Sequence, residues 1–145
     1  MIRKTLLDLN VLIALTESEH DHFLSAQEWF ASSGKAGVGL CPLTEAGFIR
    51  VTTSPAFRPG PRSMDQAIAI LQTLKAHSSY WYCGIDQSWV SLTAPFAARI
   101  SGHQQVTDAY LLGLAIKEDG VLVTFNRGIR YMAGAEFAKN VLVLE

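Results

Sequence analysis

The sequence predicts an α/β domain in which a mainly parallel sheet lies sandwiched between two helical layers, a three-layer α/β/α arrangement. Three observations predict it. Five short apolar runs rich in β-branched or aromatic residues punctuate the chain and alternate poorly, as strands buried on both faces do. The intervals between them carry apolar residues at helical spacing. Residues that start and stop helices fall at the joints, and strands alternating with helices build parallel sheets.

The first strand is expected at Thr5 to Leu7, the others at 36–41 (AGVGLC), 80–85 (YWYCGI), 121–125 (VLVTF) and 141–145 (VLVLE). Phe23, Ala26, Trp29 and Phe30 share one helical face. Ala67, Ile70, Leu71 and Leu74 share another, with Ser63 as the candidate N-cap. Pro42 suits the first turn of a helix after the second strand. Gly120 follows the helix QVTDAYLLGLAIKED as a C-terminal stop. Pro95 predicts a kink or break in SWVSLTAPFAARI. In residues 52–63 (TTSPAFRPGPRS), three prolines and Gly60 forbid regular structure and display Arg58 and Arg62.

The length of 145 residues suits one domain spanning 1–145, able to bury roughly two-thirds of its unfolded surface. With 49% hydrophobic and 17% charged residues the chain is on the apolar side, which makes self-association an expectation. A net charge of -1 excludes a global field that attracts polyanions, so any nucleic-acid site must be local. Cys41 and Cys83 each end an apolar run, as buried free thiols of a reducing compartment do. No run reaches the ~18 apolar residues of a membrane helix, and the N-terminus has no signal-peptide core, which predicts a cytoplasmic protein with no membrane partner.

In a parallel sheet the C-terminal strand ends and the N-terminal helix ends share one edge, where ligands bind. Asp8 ends the first strand, Glu45 follows Pro42 by three residues, Asp108 opens the helix before VLVTF, and Asn126 follows that strand. A carboxylate near a helix N-terminus is stabilising by about 0.3–1 kcal/mol, which alone explains Glu45 or Asp108. Asp8 is harder to explain so, since Asn10 could cap the next helix. Three carboxylates on one crevice repel unless a cation compensates them, and oxygen ligands without His or Cys favour Mg²⁺ or Mn²⁺. Such an ion serves phosphodiester hydrolysis. Asp86 is on the same edge and is expected to cap the helix near Ser88.

These pieces, in order, are LLDLNVLIAL, HDHFLSAQEWF, PLTEAGFIRVTTSP, VTDAYLLGLAI and LVTFNRG. Together they resemble the PIN domains, and within them the VapC-like ribonuclease toxins of bacterial toxin–antitoxin pairs. The resemblance implies a PIN-like α/β/α fold and Mg²⁺-dependent cleavage of RNA, often structured RNA such as tRNA. It also implies a homodimer silenced by a cognate antitoxin. Asp8 and Asp108 match the first and third family acids and would hold the metal. Glu45 matches the second and would bind the ion directly or through water. Asn10, Thr44 and Thr107 match polar positions beside the acids. Asn126 departs from the family pattern, which has Asp there: an amide offers a neutral oxygen and adds no charge, which bears on one metal against two.

His20 and His22 flank Asp21, but their rings diverge at this spacing, and they are expected on the surface. His103, before Asp108, is a candidate to touch substrate or aid proton transfer. Arg127, with Arg50, Arg58 and Arg62, is a candidate phosphate contact. Trp29, Phe30, Tyr80, Trp81, Tyr82 and Trp89 are expected in core or dimer contacts. Nothing supports nucleophilic catalysis by Ser or Cys. The sequence therefore points to a metal-dependent endoribonuclease toxin. Two alternatives stand beside it: a free-standing PIN nuclease of RNA processing, and a weakened PIN domain that binds RNA or protein.

Overall fold

A computed structural model describes residues 3–33 and 36–145 of the chain; the expected domain range also takes in residues 1, 2, 34 and 35, which lie outside the described residues. Five strands, β1 (Thr5–Leu7), β2 (Val38–Leu40), β3 (Tyr80–Tyr82), β4 (Val121–Thr124) and β5 (Val141–Val143), form one sheet in the order β3-β2-β1-β4-β5. Every neighbouring pair is parallel. Among the described residues seven α-helices cover the two faces: α1 (Leu9–Thr16), α2 (Phe23–Ser33), α3 (Pro42–Thr52), α4 (Met64–Lys75), α5 (Trp89–Thr93), α6 (Val106–Lys117) and α7 (Arg127–Ala133).

Strand alternation divides the core into two layers. Leu6 and Leu122 point to a cluster with Leu92, Phe96, Leu111, Leu112 and Met132, from α5 to α7. Leu7 and Val123, one residue on, point to a cluster with Val11, Leu12, Trp29, Phe48 and Leu71, from α1 to α4. This is the α/β/α sandwich the sequence predicts. No helix among the described residues is long and apolar enough to cross a membrane.

The strands are shorter than their apolar runs because the runs continue into helix starts. Cys41, the last apolar residue of AGVGLC, is already the N-cap position of α3, with Pro42 in its first turn. The two outer strands are not buried on both faces: Tyr82 is 59% exposed and Leu142 is 40% exposed, since an edge strand has a neighbour on one side only. Trp81 on edge strand β3 packs flat over β2. A Cβ on Gly39 would lie 2.4 Å from its ring, and its indole N–H donates to the Thr5 carbonyl at 3.0 Å.

Ser63 caps α4 in a reciprocal capping box with Gln66. At Pro95, α5 gives way to a 3-10 segment, and Phe96 leaves helical geometry with φ -131°. Two local expectations are corrected. The residue with positive φ after α6 is Asp119, at 51°; Gly120 is needed instead for close approach, since a Cβ there would meet the Lys4 carbonyl oxygen at 2.8 Å. Arg62 is not displayed: it donates to the Thr16 carbonyl at 3.0 Å, pairs with Glu17 at 3.3 Å, and stacks over Phe48 and Phe57. The cysteines are free and buried, at the ends of neighbouring strands, with the Cys83 amide donating to the Leu40 carbonyl at 2.9 Å.

Candidate active site

Chain segments from β1 depart to both sides of the sheet, β2 on one and β4 on the other, so the β1–β4 junction is the topological switch point. Asp8 stands there at the end of β1 and is only 6% exposed. Its Oδ1 accepts from the Leu9 amide at 2.7 Å, which makes Asp8, rather than Asn10, the N-cap of α1. Asn10 lies inside the first turn, with its Oδ1 buried and unpartnered. The other oxygen, Oδ2 of Asp8, accepts from the Thr124 hydroxyl at 2.7 Å.

Thr124 closes β4 and is fully buried. Its hydroxyl oxygen accepts from the Asn126 amide at 3.0 Å. The Asn126 side chain then uses both ends: Oδ1 accepts from the Gly128 amide at 2.9 Å and caps α7, and Nδ2 donates to Oδ2 of Asp108 at 3.1 Å. Asp108 comes from the first turn of α6. Asp8, Thr124, Asn126 and Asp108 thus form one chain of hydrogen bonds drawn from three segments. Thr124 was not singled out in the sequence; the available signal was a hydroxyl residue closing an otherwise apolar buried strand.

The electrostatics of this pair are unfavourable as they stand. Burial raises the proton affinity of Asp8, against the opposing hydrogen bonds from Thr124 and Leu9. Burial, then the charge of Asp8, pushes Asp108 up to about 6, with the Asn126 bond opposing. Among the described residues neither carboxylate has a Lys or Arg within salt-bridge distance. A cleft of about 380 Å³ opens beside Asp108, lined also by Asn126, Ser101, His103 and Gln105. The Ser101 amide and hydroxyl both donate to Gln105 Oε1, which pins that loop.

Glu45 stands apart. It lies in the first turn of α3 and pairs with Lys75 Nζ at 2.8 Å, facing a different groove between α3 and α4. Among the described residues no group of three His, Cys, Asp or Glu is gathered closely enough to hold one ion. Thr44 is buried, with its hydroxyl 3.6 Å from Cys41 Sγ, and Thr107 is exposed beside Asp108. His103 is exposed on the cleft rim. Arg127 is exposed and 4.0 Å from Glu145. His22 stacks on Phe125 with ring centroids 4.7 Å apart, and His20 accepts from the His22 amide. Asp86 does not cap: Ser88 caps α5, and Asp86 pairs with Lys117 beyond edge strand β3.

The donors are all oxygens, two charged and mutually repelling, with one buried amide oxygen nearby in the chain still unsatisfied. That set fits a hard divalent cation. The family model for the PIN domain matches residues 5–135. Ribonuclease VapC38 of Mycobacterium tuberculosis is 40% identical over 128 residues, covering 88% of this chain and 89% of that protein. Ribonuclease VapC44 of the same organism is 36% identical over 132 residues, covering 90% and 91%. In fold the chain is similar to VapBC2 from Rickettsia felis bound to a promoter DNA fragment, with TM-score 0.64 at 15% identity, covering 97% of this chain and 98% of that one. DNA-bound VapBC from Salmonella typhimurium gives TM-score 0.64 at 16% identity over the same shares. By the span of the family match and the identity to these relatives, the chain belongs to the PIN domain family.

Proposed function

We propose that this chain is a Mg²⁺-dependent endoribonuclease, with Mn²⁺ as a substitute, acting in the cytoplasm as the toxin of a toxin–antitoxin pair. The observation that carries this reading is the pair Asp8 and Asp108 at the β1–β4 switch point, where two carboxylates converge without a cation from the described chain. The relatives named ribonuclease VapC support the activity, and the VapBC complexes support a cognate antitoxin partner. RNA, structured as in tRNA, is the substrate, and the working form is a homodimer.

Asp8 and Asp108 would hold the ion, which when bound supplies positive charge against a phosphodiester and acidifies a water. Thr124 and Leu9 fix Asp8, and Asn126 fixes Asp108 through a neutral N–H that leaves the local negative charge unchanged. Glu45 would add a third oxygen directly or through water once it leaves Lys75. His103 and Arg127, at the rim and at the start of α7, would meet the substrate. Attack by water needs no 2′-hydroxyl and leaves a 3′-hydroxyl and a 5′-phosphate.

The test is sequencing of RNA 5′ ends after induction in a bacterial host. The expected result is new 5′-phosphate ends at few positions, lost with Asp8→Asn; 2′,3′-cyclic phosphate products would overturn the hydrolytic reading. A second reading, a binding module with weakened catalysis, is favoured by one observation: Asn126 donates to Asp108 where the family places a charge. Cleavage appearing only in Asn126→Asp would establish that second reading.

A further inference from the structure

The acids at the sheet edge are treated differently by the rest of the chain. Among the described residues Asp8 and Asp108 have no Lys or Arg within salt-bridge distance, yet Lys75 at the end of α4 sits on Glu45. The pair is 2.8 Å long, with the Glu45 side chain 22% and the Lys75 side chain 38% exposed. Ile49, Ile68 and Leu71 line the same groove. The neighbouring charge that raises Asp108 is that of Asp8. Tyr80 and Tyr82 of β3 are the other titratable groups near the pair. The ammonium here pairs with the acid that stands apart and leaves the repelling pair as it is.

We propose that Lys75 is a positioning residue that holds Glu45 in the α3–α4 groove, so that a cation on Asp8 and Asp108 must compete with Lys75 for the third carboxylate. Lys75 thereby sets cation affinity without touching the cation. The proposal rests on the metal-dependent reading above. An exposed ion pair of this kind withholds its acid by a factor of only a few, so the effect is graded.

The experiment is Mn²⁺ titration of the full chain, followed by the electron paramagnetic resonance signal of free Mn²⁺, without RNA. Lys75→Met is expected to tighten binding about threefold to tenfold, from release of Glu45 and loss of one nearby positive charge. Lys75→Arg should keep wild-type affinity. Glu45→Gln should cost more affinity in the Lys75→Met background than in the wild type, a coupling that a bulk charge effect lacks. Equal affinity in wild type and Lys75→Met, or a gain that survives Glu45→Gln undiminished, overturns the proposal. Asp108→Asn separates the two failures. Binding that Asp108→Asn abolishes but Lys75→Met leaves unchanged defeats the role of Lys75 alone. Binding indifferent to Asp108→Asn, or absent from wild type and Lys75→Met alike, defeats the metal reading and the proposal with it.

Discussion

The centre of the sheet edge and its β3 flank handle negative charge in opposite ways. On the flank, two acids are paired with lysines: Asp86 with Lys117, and Glu45 with Lys75. At the centre, Asp8 is buried and Asp108 half-buried, and among the described residues their donors are neutral: a hydroxyl, an amide N–H and a carboxamide. The flank acids are therefore compensated from within the chain. The central pair stores repulsion that an external cation can relieve, so the two regions should respond differently to every change of charge.

The largest expected effect is on cleavage. Asp8→Asn should reduce RNA cleavage roughly 10²–10³-fold, the loss typical of removing one electrostatic contact to a reacting centre, while circular dichroism stays native. An unchanged rate would remove Asp8 from the site. Next is the response to cation. At about 100 times its Kd, Mg²⁺ should add roughly 2.7 kcal/mol of stability to the wild type and far less to Asp108→Asn, read as a shift in Tm.

Smaller is the pH dependence of the metal-free protein. Asp108 is held above its ordinary 3.8, at about 6, so the folded state binds its proton more tightly than the unfolded state does. Its contribution is fully present below 3.8 and is lost as pH rises through about 6. Asp108→Asn should therefore be more stable than wild type at pH 7 by about 1–2 kcal/mol after allowance for solvent screening, and the difference should vanish toward pH 4. A difference that grows on acidification would break the contrast between centre and flank. Thr124→Val, which takes one donor from buried Asp8, should cost about 1–3 kcal/mol in urea unfolding at neutral pH. At the bottom of the scale, Asp86→Asn should leave Tm where it is, because that pair lies in solvent.

Much of this was readable from the sequence where the signal is local. The Ser63 capping box, Pro42 in a first turn and the break at Pro95 need only their neighbours along the chain, and each is where the sequence puts it. What stayed hidden depends on which segments dock. Lys75 reaches Glu45 across thirty residues, and Thr124 reaches Asp8 across 116. Arg62 reads as a displayed arginine until α1 and Phe48 are beside it. Asn10 reads as a cap because Asp8 serves equally well, and only backbone geometry, with Asp8 at φ -71° and ψ 155°, decides between them. The outer strands read as fully buried because composition does not reveal which strand lies at an edge.

The bonded chain from Asp8 through Thr124 and Asn126 to Asp108 has a consequence for folding. Asp8 and Thr124 are 116 residues apart along the chain. Until β4 has docked beside β1, Oδ2 of Asp8 lacks its Thr124 partner and Asp108 has no Asn126 to fix it. The site therefore exists only once the two central strands have paired, and a chain caught before that step carries both acids without the arrangement that holds them.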